Sequence, residues 1–250
     1  MRPLQIKLSQ EKVLEAVGTS WPPSEIAAAY ALLIDEKGNF PSHGPGVGLP
    51  TRLVRLVQRE RIAAAMVVAV ADCGYERVEV EDVLELAGVS RPTFNDHFAG
   101  KEECFIQALD SAADRLYERI SAAVSGSGDW RCSLRSGLVE LLSFMVEEPP
   151  TARVLVIEAQ SATTHSLERR DAMLDRFTCL AETTASKRVG GSASGLSAAG
   201  LVGGIDALLS SRFAEGDIED HASLLPLLMY LAMLPYLGPE GAKAELAAGP

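Results

Sequence analysis

Apolar positions recur at helical spacing from Arg55 onward, and their spacing predicts the elements. Ile62, Met66, Val70 and Cys73 share one stripe that Gly74 closes. Val80, Val83, Leu84 and Ala87 repeat the pattern over about two turns, and Gly88 ends that second helix. Val89 is then a buried-type residue and Ser90 a good N-cap. A third helix follows at once, with Arg91 and Pro92 in its first turn, where proline forfeits no hydrogen bond, and Phe94 and Phe98 four apart and facing inward. Lys101 precedes a fourth helix, in which Glu102 and Glu103 complement the N-terminal dipole and Phe105, Leu109, Ala112, Leu116 and Ile120 make the buried stripe.

The character changes past the Ser-Gly-Ser-Gly break at Ser125–Gly128: the helices become longer and their apolar faces broader. Leu134, Leu138, Leu141, Leu142 and Met145 mark one that stops before Pro149 and Pro150, and Ala152 to Ser161 and Leu167 to Ser186 suggest two more. Gly190 to Gly195 reads as a loop. The last two helices, about Ser197 to Glu215 and Asp220 to Leu237, are apolar on more than one face, which predicts burial against a partner. Ahead of all this, residues 1–50 hold two short helix candidates, Ser9 to Val17 and Ser24 to Asp35, and a Gly/Pro-rich linker from Gly38 to Pro50. The expectation is an all-α fold in three parts: an extension over 1–50, a helix-turn-helix domain over 51–122 and a larger helical domain over 129–250.

Composition narrows the chemistry. With 250 residues and 47% hydrophobic content there is material for a small domain joined to a larger one. The net charge of -11 argues against a protein that coats nucleic acid, so any DNA contact has to be local. Thr51 to Arg61 supplies Arg52, Arg55, Arg59 and Arg61 against Glu60, a local charge of +3 suited to phosphates. From Gly74 to Lys101 the balance reverses, with three cations facing six carboxylates. Cys73, Cys104, Cys132 and Cys179 lie far apart, which signals neither a zinc ribbon nor a disulfide framework and fits a cytoplasmic protein. The longest apolar run, Ala222 to Leu237, is broken by Pro226 and Pro235 and is too short to span a bilayer.

A short helix, a Gly-Val-Ser turn and a second short helix carrying two phenylalanines meet the needs of a helix-turn-helix, because glycine permits the tight turn and the apolar residue locks its angle. On periodicity alone, a purely structural helical hairpin fits equally well. The residue types tip that balance. Gln58-Arg59-Glu60-Arg61-Ile62, Gly74-Tyr75, Val80-Glu81-Asp82-Val83, Ala87-Gly88-Val89-Ser90, Thr93-Phe94, His97-Phe98 and Lys101-Glu102 together resemble the TetR-type transcriptional regulators. The likeness is dense from about Ser42 to Ala122, looser beyond, and leaves residues 1–41 uncovered.

That resemblance implies a recognition helix over Arg91 to Phe98, with Arg91, Pro92, Thr93, Asn95 and His97 as candidate DNA contacts, Lys101 on a phosphate, and Arg52 and Arg55 extending an arm. Two departures stand out: Asn95 occupies a position where the family commonly has tyrosine, and Glu79 replaces the usual hydroxyl residue that caps the second helix. It also implies a homodimer on operator DNA, acting as a repressor released when a small apolar effector fills a pocket in the larger domain. Phe144, Met145, Arg153, Met173 and Phe177 are the pocket candidates. For the dimer face they are Gly200, Gly203 and Gly204, which permit close helix approach, with Leu208, Leu228 and Leu231 supplying apolar area. No cofactor or metal is expected. His165 with Glu158 and Glu168 has spacing for at most two ligands on one face, and Cys73 and Cys104 read as small core residues before redox sensors. No G-x-S-x-G, H-E-x-x-H or Walker A pattern supports catalysis. The competing reading is a helical dimeric interaction module that has lost DNA binding.

Overall fold

The computed structural model describes residues 51–126, 129–186, 195–215 and 222–247; the expectations for residues 1–50 and for the glycine-serine loop before Gly195 lie outside the described residues. Those described are helical or in turns, with no strand among them. The chain divides into two compact units, Met1–Ser111 and Ala112–Pro250.

In the first unit, α1 (Thr51–Cys73) buries Ile62, Ala65, Met66, Ala69 and Val70 and ends where Gly74, at φ 83°, donates its N–H back to the Val70 carbonyl. A positive φ there costs glycine nothing and other residues a Cβ clash. A single 3₁₀ turn, Tyr75–Arg77, leads to α2 (Val80–Ala87). Glu79 opens α2 from an extended conformation, and its own N–H is held by the Asp82 carboxylate at 2.7 Å. The departure from a hydroxyl cap is thus offset by a reciprocal partner three residues on. Gly88 closes α2 in the left-handed region, at φ 59°.

α3 is Arg91–Asn95, shorter than the sequence suggested. Its end tightens because the N–H groups of His97 and Phe98 both reach the Phe94 carbonyl, which turns Phe98 into the core beside Phe94, the ring centroids 5.6 Å apart. Burying two phenylalanines outweighs continuing an exposed helix for one more turn. α4 (Lys101–Ser125) gives its first turns to this core through Cys104, Phe105, Ala108 and Leu109.

The second unit begins within α4 and continues with α5 (Trp130–Glu147). A Cβ at Gly137 would lie 2.8 Å from Val124 Cγ2, so a larger residue there would push the Val124 side chain aside. The prolines that stop α5 also open α6 (Pro149–Arg153), because a missing N–H is harmless at a helix start. A π-turn, Val154–Glu158, then interrupts the helix expected to run unbroken to Ser161, and α7 (Ala159–Ser161) completes the segment. α8 (Thr164–Ser186), α9 (Gly195–Glu215) and α10 (Leu225–Ala247) follow. α10 extends past Leu237 through a break at Gly238, where φ is 68° and prolines stand nearby at 235 and 239.

Ion pairs tie the helices of this unit together. Arg119 of α4 bonds Glu140 at 2.5 Å and Glu147 at 2.7 Å on α5, while Arg115 bonds Glu148, whose side chain is almost wholly buried, at 3.1 Å. Arg176 of α8 reaches Asp114 at 2.6 Å and stacks on Tyr117, and Arg131 of α5 holds the buried Glu245 of α10.

Candidate functional site

α2 and α3 form a helix-turn-helix whose geometry follows from local residues. Ser90 caps α3, its Oγ accepting from the Thr93 N–H at 3.3 Å and lying 2.9 Å from the Thr93 hydroxyl. Pro92 sits in the first turn, and Phe94 anchors the inner face at 1% exposure. Arg91, Pro92 and Asn95 are exposed, and Thr93 and His97 half-buried, so the first turns of α3 present their polar side chains outward as a groove-entering helix must.

The cations around it are largely engaged within the protein. Arg91 forms an ion pair with Glu81 of α2. Lys101 donates to the carbonyls of Tyr75 at 3.1 Å and Val78 at 3.0 Å and stands 4.3 Å above the Tyr75 ring. It therefore closes the turn before α2 and is not extended toward solvent. Of the four arginines behind the +3 stretch, Arg59 bonds Gln107 at 2.6 Å and packs over Phe98, and Arg61, 6% exposed, donates to the Gly88 carbonyl. Arg52 and Arg55 remain exposed, Arg55 reaching the Asp96 carbonyl at 3.3 Å and so joining α1 to the end of α3. His97 lies 3.4 Å from the Gln58 amide oxygen, and burial, followed by the charges of Arg55 and Arg59, lowers its pKa against a weaker upward pull from Asp96. Cys73 and Cys104 are both buried, and burial pushes the Cys104 thiol well above the usual range, so it stays protonated.

The second unit contains a partly open apolar cleft of about 860 Å³ counted out to its mouth. One wall is α4, which offers Leu116, Ile120 and Val124 from successive turns of a single face. Opposite are Leu134, Leu138, Leu141 and Met145 of α5, Leu155 and Val156 of the π-turn, Met173, Leu174, Phe177 and Leu180 of α8, and Leu201, Val202, Ile205 and Leu209 of α9. Thr184 and Asp206 are the polar members of the lining. Of the sequence candidates, Met145, Met173 and Phe177 line the cleft. Phe144, on the adjacent face of α5, is completely buried under Arg119, and Arg153 is paired with Glu158 on the π-turn. The α4 wall and Asp206 were not among the sequence candidates; a leucine stripe on a helix reads the same whether core or cleft covers it.

Gly200, Gly203 and Gly204 lie exposed on α9 with no atom near the place a Cβ would take, and Leu208 and Leu231 are half-buried. Leu228, in contrast, has no exposed surface in its own unit and offers none to a partner in this conformation. Among the described residues no group of three or more His, Cys, Asp or Glu is placed to hold a metal, and no helix is long and apolar enough to cross a membrane.

The profile of the family described as "Bacterial regulatory proteins, tetR family" matches residues 62–108, which take in most of α1, all of α2 and α3 and the start of α4. The HTH-type transcriptional activator FasR of Mycolicibacterium smegmatis is 26% identical over 104 residues, 42% of this chain and 48% of the relative. The chain thus spans about half the length of the curated relative it matches. Among solved structures, the fatty acid degradation regulator FadR from Bacillus halodurans aligns with a TM-score of 0.64 at 18% identity, covering 72% of this chain and 95% of that one. FadR from Bacillus subtilis, in complex with stearoyl-CoA, gives 0.61 at 17% identity over 71% and 97%. A transcriptional regulator from Rhodococcus sp. Rha1 gives 0.62 at 24% identity over 72% and 96%. At these identities the structural likenesses establish the fold.

Proposed function

We propose, for a chain whose helix-turn-helix belongs to the TetR-type bacterial regulatory proteins, that it is a homodimeric repressor leaving its operator DNA when a long acyl ligand fills the cleft. The observation that carries this reading is the division of α4. Its first turns, with Cys104, Phe105 and Leu109, are core of the helix-turn-helix unit, while Leu116, Ile120 and Val124 of the same helix are cleft wall. A ligand that binds better to one position of that wall than to another shifts the population of α4 positions, and an effector can act on DNA affinity only through such a difference.

An acyl chain suits the lining, which is apolar over nearly its whole extent. The stearoyl-CoA bound to the Bacillus subtilis FadR is consistent with that chemistry. The exposed glycines of α9 support a dimer, in which the two α3 helices would meet half-sites about one helical turn apart.

The test is to select genomic fragments with the purified full chain and then add stearoyl-CoA. Release of a recurrent fragment, with lauryl sulfate at equal concentration leaving it bound, supports the reading. Retention of the same fragment at saturating acyl-CoA rejects the ligand assignment. A second reading, an interaction module with weakened DNA binding, is favoured by the internal engagement of Arg91 and Lys101 and predicts no recurrent fragment at all.

A further inference from the structure

The polar side chains on and around α3 are not equally available to a groove. Arg91 is paired with Glu81, the Thr93 hydroxyl is engaged with Ser90 in the cap, His97 meets the Gln58 amide oxygen, and Lys101 is turned onto the carbonyls of Tyr75 and Val78. Asn95 differs from all of them. It is exposed, it lies one turn from Arg91 on the same face of the helix, and among the described residues its side-chain amide has no partner. The neighbouring Asp96 is exposed too, but its carboxylate carries the same sign of charge as the phosphates, and its backbone carbonyl is held by Arg55.

We propose that Asn95 is the base-reading side chain of α3 and that the base it reads is an adenine, met at its major-groove edge. This rests on the DNA-binding reading above. A carboxamide sets a donor, Nδ2–H, beside an acceptor, Oδ1, and the major-groove edge of adenine sets an acceptor, N7, beside a donor, the N6 amine. Guanine offers two acceptors there, cytosine a donor alone, and thymine an acceptor beside a methyl group, so each leaves half of the amide unmatched. Arg91 has to leave Glu81 before it can touch a base, whereas Asn95 surrenders no contact to a described residue. Being neutral, it also adds nothing to the phosphate attraction that holds all sequences alike. Position 95 thus acts on which sequence is bound, with little effect on how tightly duplexes in general are held.

The experiment selects duplexes randomised over about two helical turns with the full chain, native and Asn95→Ala. Fluorescence anisotropy then gives Kd for the recovered sequence and for copies altered at one base pair. The native protein should require an adenine in each half-site, losing ~10-fold or more when guanine replaces it. It should lose severalfold when that adenine becomes 7-deazaadenine, which lacks the N7 acceptor. Asn95→Ala should bind the recovered sequence ~10-fold or more weaker, be indifferent to both changes, and keep the native affinity and salt slope for an unrelated duplex. Asn95→Asp, whose side chain only accepts, should move the preference toward cytosine. A variant damaged in folding loses the unrelated duplex as well, and the 7-deazaadenine comparison on the native protein then decides. The same base requirements in Asn95→Ala as in the native protein, or native indifference to the N7 of every adenine, overturns the inference and leaves the DNA-binding reading in place. Recovery of no recurrent sequence by the native protein overturns both.

Discussion

Lys101 stands 4.3 Å above the ring of Tyr75 and donates to that residue's own carbonyl at 3.1 Å, so one ammonium closes the turn before α2 by two contacts to the same residue. With the Val78 carbonyl it has three partners inside the helix-turn-helix unit. Lys101→Ala is expected to destabilise this unit by about 1–2 kcal/mol, the range for partly solvated charge-assisted hydrogen bonds with a cation–π contact. Urea unfolding monitored by circular dichroism measures the loss. The slope of log affinity for DNA against log salt should change by much less than the ~1 expected for a lost phosphate contact.

Arg91 and Glu81 form an exposed ion pair, the kind that contributes little to stability. Its consequence is for DNA, because Arg91 has to leave Glu81 before it can touch a base or phosphate. Glu81→Gln should raise DNA affinity severalfold with no loss of thermal stability, and Arg91→Ala should lower affinity by about 1–3 kcal/mol. Fluorescence anisotropy on a selected fragment distinguishes the two; equal affinity of Glu81→Gln and the native protein would show that the pair does not compete with DNA.

His97 is held neutral by burial and by its neighbours Arg55 and Arg59, so its folded-state pKa lies below the ordinary value of 6.5. The unfolded chain then binds more protons, and the contribution of this group to stability is complete above pH 6.5 and is lost as the pH falls below it. In the DNA complex the sign is opposite: phosphates favour the imidazolium, and affinity should rise on acidification over the same range. His97→Gln should flatten both profiles, which thermal melts and anisotropy at a series of pH values will show.

Glu148 is buried at the junction of α5 and α6 and is bonded to Arg115, with Arg119 at 3.9 Å. Glu148→Gln leaves the partly buried Arg115 guanidinium short of its counter-charge, while Arg119 keeps Glu140 and Glu147. A loss of about 2–4 kcal/mol is expected, below the upper end for buried pairs because Arg115 reaches solvent. Differential scanning calorimetry should place that loss in the unit beginning at Ala112.

The helix-turn-helix was legible because its determinants are local. Gly74, Gly88 and Ser90 are fixed by the backbone conformations and caps at their own positions, and the Phe94–Phe98 spacing reports its burial directly. What the charges do was not legible. Arg59, Arg61 and Lys101 look like a phosphate-binding set in one dimension, but their partners Gln107, Gly88 and Tyr75 come from elsewhere in the chain, at separations of 48, 27 and 26 residues. In the second unit the periodicity of α5 places both Phe144 and Met145 inward without separating the residue packed under Arg119 from the one in the cleft. The π-turn at Val154–Glu158 changes the helical register within the unbroken apolar run Val154 to Ile157, where the pattern carries no sign of a change in period. Asp206, a single carboxylate on a helix, reads from the sequence as solvent-facing, although it lines the cleft.

DNA binding is the central claim, and the most direct measurement of it is a salt titration of the purified full chain against a fragment selected from the genome and an unrelated duplex of equal length. The account predicts an affinity for the selected fragment ~10³-fold or more above the unrelated one at physiological salt. It also predicts a shallow salt slope, because among the described residues around the helix-turn-helix Arg59, Arg61, Arg91 and Lys101 are engaged within the protein. Equal and weak binding of both duplexes at every salt concentration would contradict it.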